Sequence, residues 1–333
     1  MFKQGFMVLL STIISFSLTS SVFAVGENDN KASNESDARK ALFESVELVT
    51  GVPWSVLAAI DQYERNLQRV RRDLSEKEGL ISITIPPSRW SGELNPDSAD
   101  NEPASIQFFT GIGQDGDGDG KADQGNEVDV TYTIARYLSS YGVTAENIRI
   151  GLWQYYQHPL AVDIITHMSK VYQQFNSLEL DERTFVMPMR YNYTYHSTFG
   201  DRRGFGGLRI HEGTDIFADY GTPVLSPCYG YIELKGWNRF GGWRVGIRDL
   251  NNNYHYFAHL SSFDKKIAQG QVVEPGSILG YVGSSGYGPP GTSGKFPPHL
   301  HYGIYKFNGK TTYAFNPYPY LRNWERASKR RSL

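Results

Sequence analysis

Two different rhythms of hydrophobic and polar positions divide the chain. In the first half, apolar residues recur every three or four positions, as at Val56, Ile60 and Tyr63, which predicts amphipathic helices. Gly51 and Pro53 mark the end of one helix and the start of the next. The predicted helices span about 41–49, 54–64, 128–138, 147–156 and 161–175.

From about residue 185 onward the pattern changes to short alternating runs separated by Gly, Pro and Asn. Such runs predict strands of an antiparallel sheet. They lie at 222–225, 229–234, 243–248, 254–257, 278–283 and 299–305. The three asparagines at 251–253 predict a hairpin turn, because Asn tolerates positive φ. The fold class is therefore α+β in two domains, a helical one at 41–180 and an antiparallel β domain at 185–325.

The two ends of the chain differ from both halves. Residues 1–24 combine Lys3, an apolar run, and small residues at the −3 and −1 positions, Val22 and Ala24, which predicts an export signal cleaved after Ala24. The alternative is a membrane anchor, although the apolar run is short for a span of about 20 residues. The polar stretch 25–40 predicts a flexible leader. The basic segment 326–333 is expected to be a solvated tail, with weak contact to an anionic polymer as the alternative.

Net charge and cysteine content argue against several classes of function. The formal net charge is −2, so no basic field favours nucleic acid. Cys228 is the single cysteine, which excludes an internal disulfide. Its hydrophobic surroundings favour a buried structural role. A catalytic Cys–His pair is the alternative, but it would leave the other histidines unexplained.

Three short motifs between residues 211 and 301 carry the chemistry: His211-Glu-Gly-Thr-Asp215, Tyr256-Phe-Ala-His259-Leu and His299-Leu-His301. Imidazoles and a carboxylate are ligands of catalytic zinc, which takes three protein ligands and leaves one position open. Residues two apart on a strand face the same side, so His299 and His301 are expected to share a cleft. One of them would bind metal and the other would stand beside the water.

The remaining motif residues complete this expectation. A turn through Gly213 would bring His211 and Asp215 to one metal ion. His259 ends an apolar strand and can face the same cleft. His255 lies an even number of residues from His259, so it is a further candidate for that face.

Residues from about 195 to 321 resemble the M23 peptidases, lysostaphin-like zinc endopeptidases that cut peptidoglycan. The shared segments are the three motifs together with Ser197-Thr-Phe-Gly-Asp-Arg, Gly221-Thr-Pro-Val, Val273-Glu-Pro-Gly-Ser-Ile-Leu-Gly-Tyr-Val-Gly, Pro298-His-Leu-His-Tyr-Gly-Ile and Asn316-Pro-Tyr-Pro-Tyr-Leu. The resemblance implies one Zn²⁺ per chain with ligands His211, Asp215 and His301. It places His259 and His299 at the catalytic positions, without dividing their roles.

One segment departs from the family pattern. Residues 284–298, which precede His299, form a longer Gly- and Pro-rich loop than is usual there. This loop is expected to border the cleft and to influence substrate choice. The alternative is a loop that is merely solvated.

In the helical half, residues 51–64 resemble the first catalytic helix of lysozyme-like lytic transglycosylases. Glu64 stands at the position of the general acid of that family. Arg65 follows where a Ser is common, and an adjacent arginine is expected to hold Glu64 ionised. No Gly-Leu-Met-Gln-type segment is present. A wall-binding or positioning domain is therefore expected, with glycan cleavage as the alternative.

A second feature of this half is an acidic loop before the helix at 128–138. Asp115, Asp117, Asp119 and Asp123 occupy positions 1, 3, 5 and 9 of an EF-hand-type calcium loop. Position 12 is Asn126 instead of Glu. The alternative to a Ca²⁺ site is an acidic surface turn.

The order of leader, helical half and peptidase domain is similar to that of the endopeptidases that trim stem peptides of the spore cortex in bacilli. That similarity implies an exported enzyme that cuts the L-Ala–D-Glu bond of peptidoglycan during sporulation. Peptidoglycan is then the partner, with neither nucleic acid nor a stable membrane association after signal cleavage. The alternatives are a transglycosylase acting through Glu64, or a non-catalytic wall-binding or assembly module. Retention of every ligand position argues against the module.

Overall fold

The computed structural model describes residues 24–204 and 207–331, with side chains described from residue 34 onward. The first half is helical, as predicted. Its helices are α1 (Ala24–Thr50), α2 (Trp54–Val70), α3 (Pro87–Ser91), α4 (Pro103–Phe108), α5 (Glu127–Ser139), α6 (Ala145–Tyr156) and α7 (Pro159–Phe175). The predicted export signal lies outside the described residues, apart from Ala24. Within the described part of the chain, no helix has the length and apolar character needed to cross a membrane.

The apolar stripe of α2 forms the centre of the helical core. Leu57 and Ile60 are fully buried and Tyr63 is 2% exposed. This face packs against α7, and the hydroxyl groups of Ser55 and Ser169 meet across the contact at 3.0 Å. The three- and four-residue spacing of α2 therefore predicted the buried face correctly.

The predicted flexible leader, 25–40, is helical in the structure and forms the first part of α1. The end of α1 is fixed by burial of Phe43 in the core and by an ion pair between Arg39 and the buried Asp61. A helix nucleated by packed residues extends at little further cost, since each added residue gains a backbone hydrogen bond. The expectation of a flexible leader at 25–40 was therefore wrong, since the backbone of these residues is helical.

The second half is an antiparallel β domain, as predicted. Its strands are β1 (Tyr193–Tyr195), β2 (Arg202–Arg203), β3 (Arg209–Ile210), β4 (Thr214–Ala218), β5 (Pro223–Leu225), β6 (Gly230–Asn238), β7 (Gly242–Asp249), β8 (Asn253–Phe263), β9 (Val272–Val273), β10 (Ile278–Val282), β11 (His299–Phe307) and β12 (Thr312–Phe315). The main sheet has the order β1-β4-β11-β8-β7-β6-β9, with β12 on β11 and β10 between β5 and β8. β2 pairs with β3 separately. The predicted turn at 251–253 joins β7 to β8, with Asn252 at φ 59°.

The two halves pack directly on each other. Leu180 belongs to the helical core and Phe185 to the core of the sheet. The ring of His167 on α7 stacks on Tyr231 of β6, with centroids 4.0 Å apart. The same histidine has Nδ1 2.9 Å from a carboxylate oxygen of Glu233. This interface holds the sheet against α7.

The predicted basic tail, 326–333, is largely the end of a docked helix, α8 (Tyr318–Arg331). Ser328 is 8% exposed, and its hydroxyl group accepts a hydrogen bond from the backbone N–H of Phe185 at 3.0 Å. Arg331 pairs with Glu182. The expectation of a solvated tail was therefore wrong for 326–331, while 332–333 lie outside the described residues. Charge at a chain end indicated solvation, but the helical spacing of Leu321, Glu325 and Ser328 directs one face onto the domain.

Candidate metal centre and active cleft

Two neighbouring strands hold most of the site. β11 pairs with β4 so that His301 lies opposite Asp215, and His299 lies two residues earlier on β11. Paired residues in an antiparallel sheet point to the same face, as do residues two apart on one strand. Asp215, His299 and His301 therefore converge on one cleft, as the sequence predicts.

His211 joins Asp215 and His301 to form a compact group of metal-binding atoms. His211 Nε2 lies 2.9 Å from His301 Nδ1, and Asp215 Oδ1 lies 3.1 Å from each of these nitrogens. Bonds of about 2.0–2.1 Å to tetrahedral zinc place ligand atoms about 3.3 Å apart. The three distances are close to that edge, so the donor set fits zinc.

Hydrogen bonds around the group orient its donors. His211 donates from Nδ1 to the carbonyl oxygen of Thr198 at 2.8 Å, which leaves Nε2 with its lone pair. Asp215 accepts a hydrogen bond from Arg203 on Oδ2 at 2.9 Å, so its Oδ1 remains for the metal. Burial by itself raises the pKa of Asp215, but the neighbouring His211 and His301 hold the pKa well below its usual range. Burial lowers the pKa of His301. An ionised carboxylate and neutral imidazoles are the forms that bind metal.

Arg203 was not found from the sequence. It lies just after the motif segment that ends at Arg202, and nothing in the spacing of the two arginines distinguishes the one that contacts Asp215. Only the pairing of β2 with β3 brings its guanidinium group to the carboxylate.

At position 213 of this centre there is no room for a side chain, so a glycine is required. A Cβ atom there would lie 2.6 Å from Cε1 of His301 and 2.7 Å from the backbone oxygen of Tyr302. Real Cβ atoms do not approach other atoms so closely. The glycine therefore lets the chain between His211 and Asp215 pass directly against the third ligand.

His259 reaches the cleft through a β-bulge. Phe257 pairs with Val245 and Leu260 pairs with Trp243, so β8 has one more residue than β7 between these pairs. His259 takes the extra position with φ 64°, a value that non-glycine residues rarely adopt. The bulge turns His259 away from the buried face of Phe257.

His255 does not share the cleft, contrary to the expectation from its spacing. It is 1% exposed, with Nδ1 2.7 Å from the hydroxyl group of Tyr302 and Nε2 3.1 Å from Asp249 Oδ2. The bulge between His255 and His259 breaks the alternation on which the expectation depended. Cys228 is fully buried beside His255, in agreement with the predicted structural role.

His259 and His299 form a pair next to the metal-binding group. Their ring centroids are 4.9 Å apart. Each donates from Nδ1 to a backbone carbonyl, His259 to Ser285 at 2.8 Å and His299 to Pro297 at 2.9 Å, which leaves both Nε2 atoms as proton acceptors. Burial, followed by the nearby His301 and His299, lowers the pKa of His259 to about 3. His259 is therefore neutral near pH 7.

The long loop 284–298 borders the cleft, as predicted. Tyr287 and Phe296 place aromatic rings beside His259, with centroids 6.2 and 4.7 Å from it. The cleft has a volume of about 510 Å³, and Lys295 also lines it. Tyr193 and Tyr195 instead bond to Glu325, so this tyrosine-rich segment supports α8 and not the cleft.

A second cleft lies in the helical half around Glu64. Glu64 is 8% exposed, and its carboxylate accepts a hydrogen bond from the hydroxyl group of Tyr156 at 2.8 Å. Burial raises the pKa of Glu64 to about 7. Arg65 does not hold it ionised, because its side chain donates to the carbonyl of Leu80 and pairs with Asp61. Successive residues of a helix point in different directions, which the expectation for Arg65 overlooked.

The acidic loop brings two of its four predicted calcium ligands close together, with Asp129 as a third carboxylate. Side-chain oxygens of Asp115, Asp117 and Asp129 lie within 4.8 Å of one another. Carboxylate oxygens of the other two predicted ligands, Asp119 and Asp123, accept hydrogen bonds from nearby backbone N–H groups. The Ca²⁺ site stays a prediction.

The chain is similar in sequence to known peptidases. The model of peptidase family M23 matches residues 209–317. The chain is 60% identical to an L-Ala--D-Glu endopeptidase of Bacillus subtilis over 86% of this chain and 88% of that protein. It is 34% identical to lysostaphin of Staphylococcus staphylolyticus over 34% of this chain and 22% of that protein. Among solved structures, the catalytic domain of lysostaphin from Staphylococcus simulans is 29% identical, covering 40% of this chain and 92% of that one with a TM-score of 0.32.

Proposed function

The chain belongs to peptidase family M23, and we propose that it cleaves the L-Ala–D-Glu bond of peptidoglycan stem peptides with one zinc ion per chain. The proposal rests mainly on one observation. His211, Asp215 and His301 lie together as a possible metal site, and His259 and His299 line the same cleft. The choice of bond is supported by the high identity to an endopeptidase of that name along most of both chains.

The metal would be held by His211 Nε2, Asp215 Oδ1 and His301 Nδ1. When bound, zinc supplies Lewis-acid polarisation and lowers the pKa of water toward about 7. Arg203 and the Thr198 carbonyl keep the carboxylate and the first imidazole in position. The buried setting strengthens these contacts, since water competes less for each donor.

The histidine pair provides proton transfer. His259 and His299 hold their rings through Nδ1, so each presents Nε2 as a base. A neutral imidazole can take a proton from the attacking water, and the resulting imidazolium can return it to the leaving amine. The two rings are close enough to act on the same peptide bond, and their division of roles stays open.

The test is digestion of purified peptidoglycan, with mass spectrometry of the new amino termini. The wild type should release peptides beginning with D-Glu, and His211→Ala should lose both this product and bound zinc. His299→Ala should retain zinc and lose about 100-fold or more in rate. His196→Ala is the matched control, because His196 is exposed and lies outside the cleft. Full activity in His211→Ala would contradict the proposal.

A second candidate function is cleavage of the glycan strand through Glu64. It is favoured by the raised pKa of a buried carboxyl group in a cleft that is also lined by Tyr63, Tyr155 and Arg89. A protonated carboxyl group near neutral pH is suited to general-acid chemistry on a glycosidic bond. This second proposal includes a lysozyme-like fold for the helical half. New sugar ends from the wild type, lost in Glu64→Gln but kept in His211→Ala, would support it. No new sugar ends from the wild type would leave the helical half as a wall-binding scaffold.

Three further predictions accompany the proposed function. We propose export through the predicted signal at 1–24, so that amino-terminal sequencing of the mature protein should begin at Val25. The role in sporulation requires expression confined to spore formation, and constant expression would contradict it. Calorimetry should detect heat on addition of millimolar calcium if the acidic loop binds it.

A further inference from the structure

Two cationic side chains lie at the mouth of the active cleft without a role in the metal centre. Arg209 and Lys295 both line the cleft and are exposed. The third cation of the lining, Arg203, is bound to Asp215. Arg209 and Lys295 come from different parts of the chain, β3 and the long loop at 284–298.

A tyrosine joins the two cations. Arg209 donates to the hydroxyl group of Tyr287, and its guanidinium carbon lies 5.5 Å from the centre of that ring. Lys295 donates from Nζ to the backbone carbonyl of Tyr287 at 2.7 Å. Both charges are thus placed around one residue, through contacts with a phenol hydroxyl group and a backbone carbonyl.

This cationic pair lies on the side of the catalytic histidines. The ring of Tyr287 stacks near His259, and Phe296, next to Lys295, packs against His259 and His299 with ring centroids 4.7 and 5.1 Å away. The other carboxylate of the lining besides Asp215 belongs to Glu212, which interacts with Tyr305. The cleft therefore offers positive charge beside its proton-transfer groups.

We propose that Arg209 and Lys295 bind a carboxylate of the substrate residue whose nitrogen lies in the scissile bond, and so select an acidic residue there. This inference rests on the proposed cleavage before D-Glu. A glutamyl residue has two carboxyl groups and only one continues the chain, so the other stays anionic within a few bonds of the scissile nitrogen. Charge-assisted hydrogen bonds from Arg and Lys suit that group.

The experiment compares two synthetic peptides that differ in one group. Both contain the L-Ala–D-Glu bond, and the carboxyl group outside the chain is free in one and a carboxamide in the other. The quantity measured is kcat/KM for wild type, Arg209→Gln, Lys295→Gln and Lys295→Glu, all as full-length holoenzymes. Lys266→Gln is the matched control, because Lys266 is an exposed lysine that does not line the cleft.

The wild type should prefer the carboxylate peptide, and each Gln variant should lose about 10-fold to 100-fold on it, as expected for a lost hydrogen bond to a charged group. The loss on the carboxamide peptide should be much smaller. Lys295→Glu should reverse the preference, and Lys266→Gln should behave as the wild type. High salt should lower the preference of the wild type, since exposed charges are screened.

Two outcomes separate the inference from the function on which it rests. Equal cleavage of both peptides by the wild type, or equal losses on both in the Gln variants, would overturn the carboxylate site and leave the endopeptidase intact. Failure of the wild type to cut either peptide at this bond would overturn the proposed bond specificity itself. Circular dichroism of each variant excludes loss of folding as the cause.

Discussion

Replacing Glu64 by Gln should change stability in a pH-dependent way. Glu64 is 8% exposed, and burial raises its pKa from 4.5 to about 7. Glutamine has nearly the same shape and can accept the hydrogen bond from Tyr156 with its amide oxygen. The substitution therefore removes the ionisation while it preserves most of the packing.

The sign follows from proton binding. Below pH 4.5 the carboxyl group is protonated in both the folded and the unfolded state, so ionisation contributes nothing to their difference. Between pH 4.5 and about 7 the unfolded state loses its proton first, and the free energy of unfolding falls as pH rises. At about 1.36 kcal/mol per pKa unit, the full effect above pH 7 is about 3 kcal/mol. Glu64→Gln should relieve that penalty at pH 8 and not at pH 4.

Urea unfolding of wild type and Glu64→Gln at a series of pH values measures the difference, in which contributions of other groups cancel. We expect the variant to gain about 3 kcal/mol relative to the wild type between pH 4 and pH 8. Glu44→Gln is the control, because Glu44 is an exposed residue on α1 and its charge is screened by water. A difference between wild type and Glu64→Gln that stays constant with pH would refute the burial argument.

Two other substitutions test the centre and the interface. Gly213→Ala should weaken zinc binding by about 10-fold to 100-fold, because the new Cβ would displace His301. The measurement is competition for zinc with a chelator. Gly236→Ala is the control and should bind zinc as the wild type does, because its Cβ would meet no atom within 4 Å. Glu233→Gln removes the carboxylate that pairs with His167 and Arg248, and should lower the free energy of unfolding by about 3 kcal/mol. Of the two pairs, only His167–Glu233 crosses between the halves, because Arg248 lies on β7 beside Glu233 on β6. A loss of less than about 0.5 kcal/mol in urea unfolding would show that the His167–Glu233 pair does not hold the two halves together.

Local pattern was sufficient for five of the eight helices and six of the twelve strands in the part of the chain that the structure describes. The spacing of Leu57, Ile60 and Tyr63 predicted the buried face of α2, and the asparagines at 251–253 predicted the turn between β7 and β8. These features depend on residues close in sequence, whose periodicity follows from the geometry of a helix or a strand. Prediction from local pattern failed where residues distant in sequence make the contacts. The polar part of α1 is helical because it continues a helix that packs on the core. The C-terminal segment is docked through the contact of Ser328 with Phe185.

The sequence by itself determined which side chains could bind zinc, because three motifs present imidazoles and a carboxylate in a suitable order and His299 and His301 share a strand face. Only the tertiary structure decided which further groups act with them. An extra residue in β8 sends His259 to the cleft and leaves His255 in the core, since a bulge reverses the alternation of a strand. Burial likewise set the pKa of Glu64, because desolvation depends on every residue packed around a group and not on its neighbours in the chain.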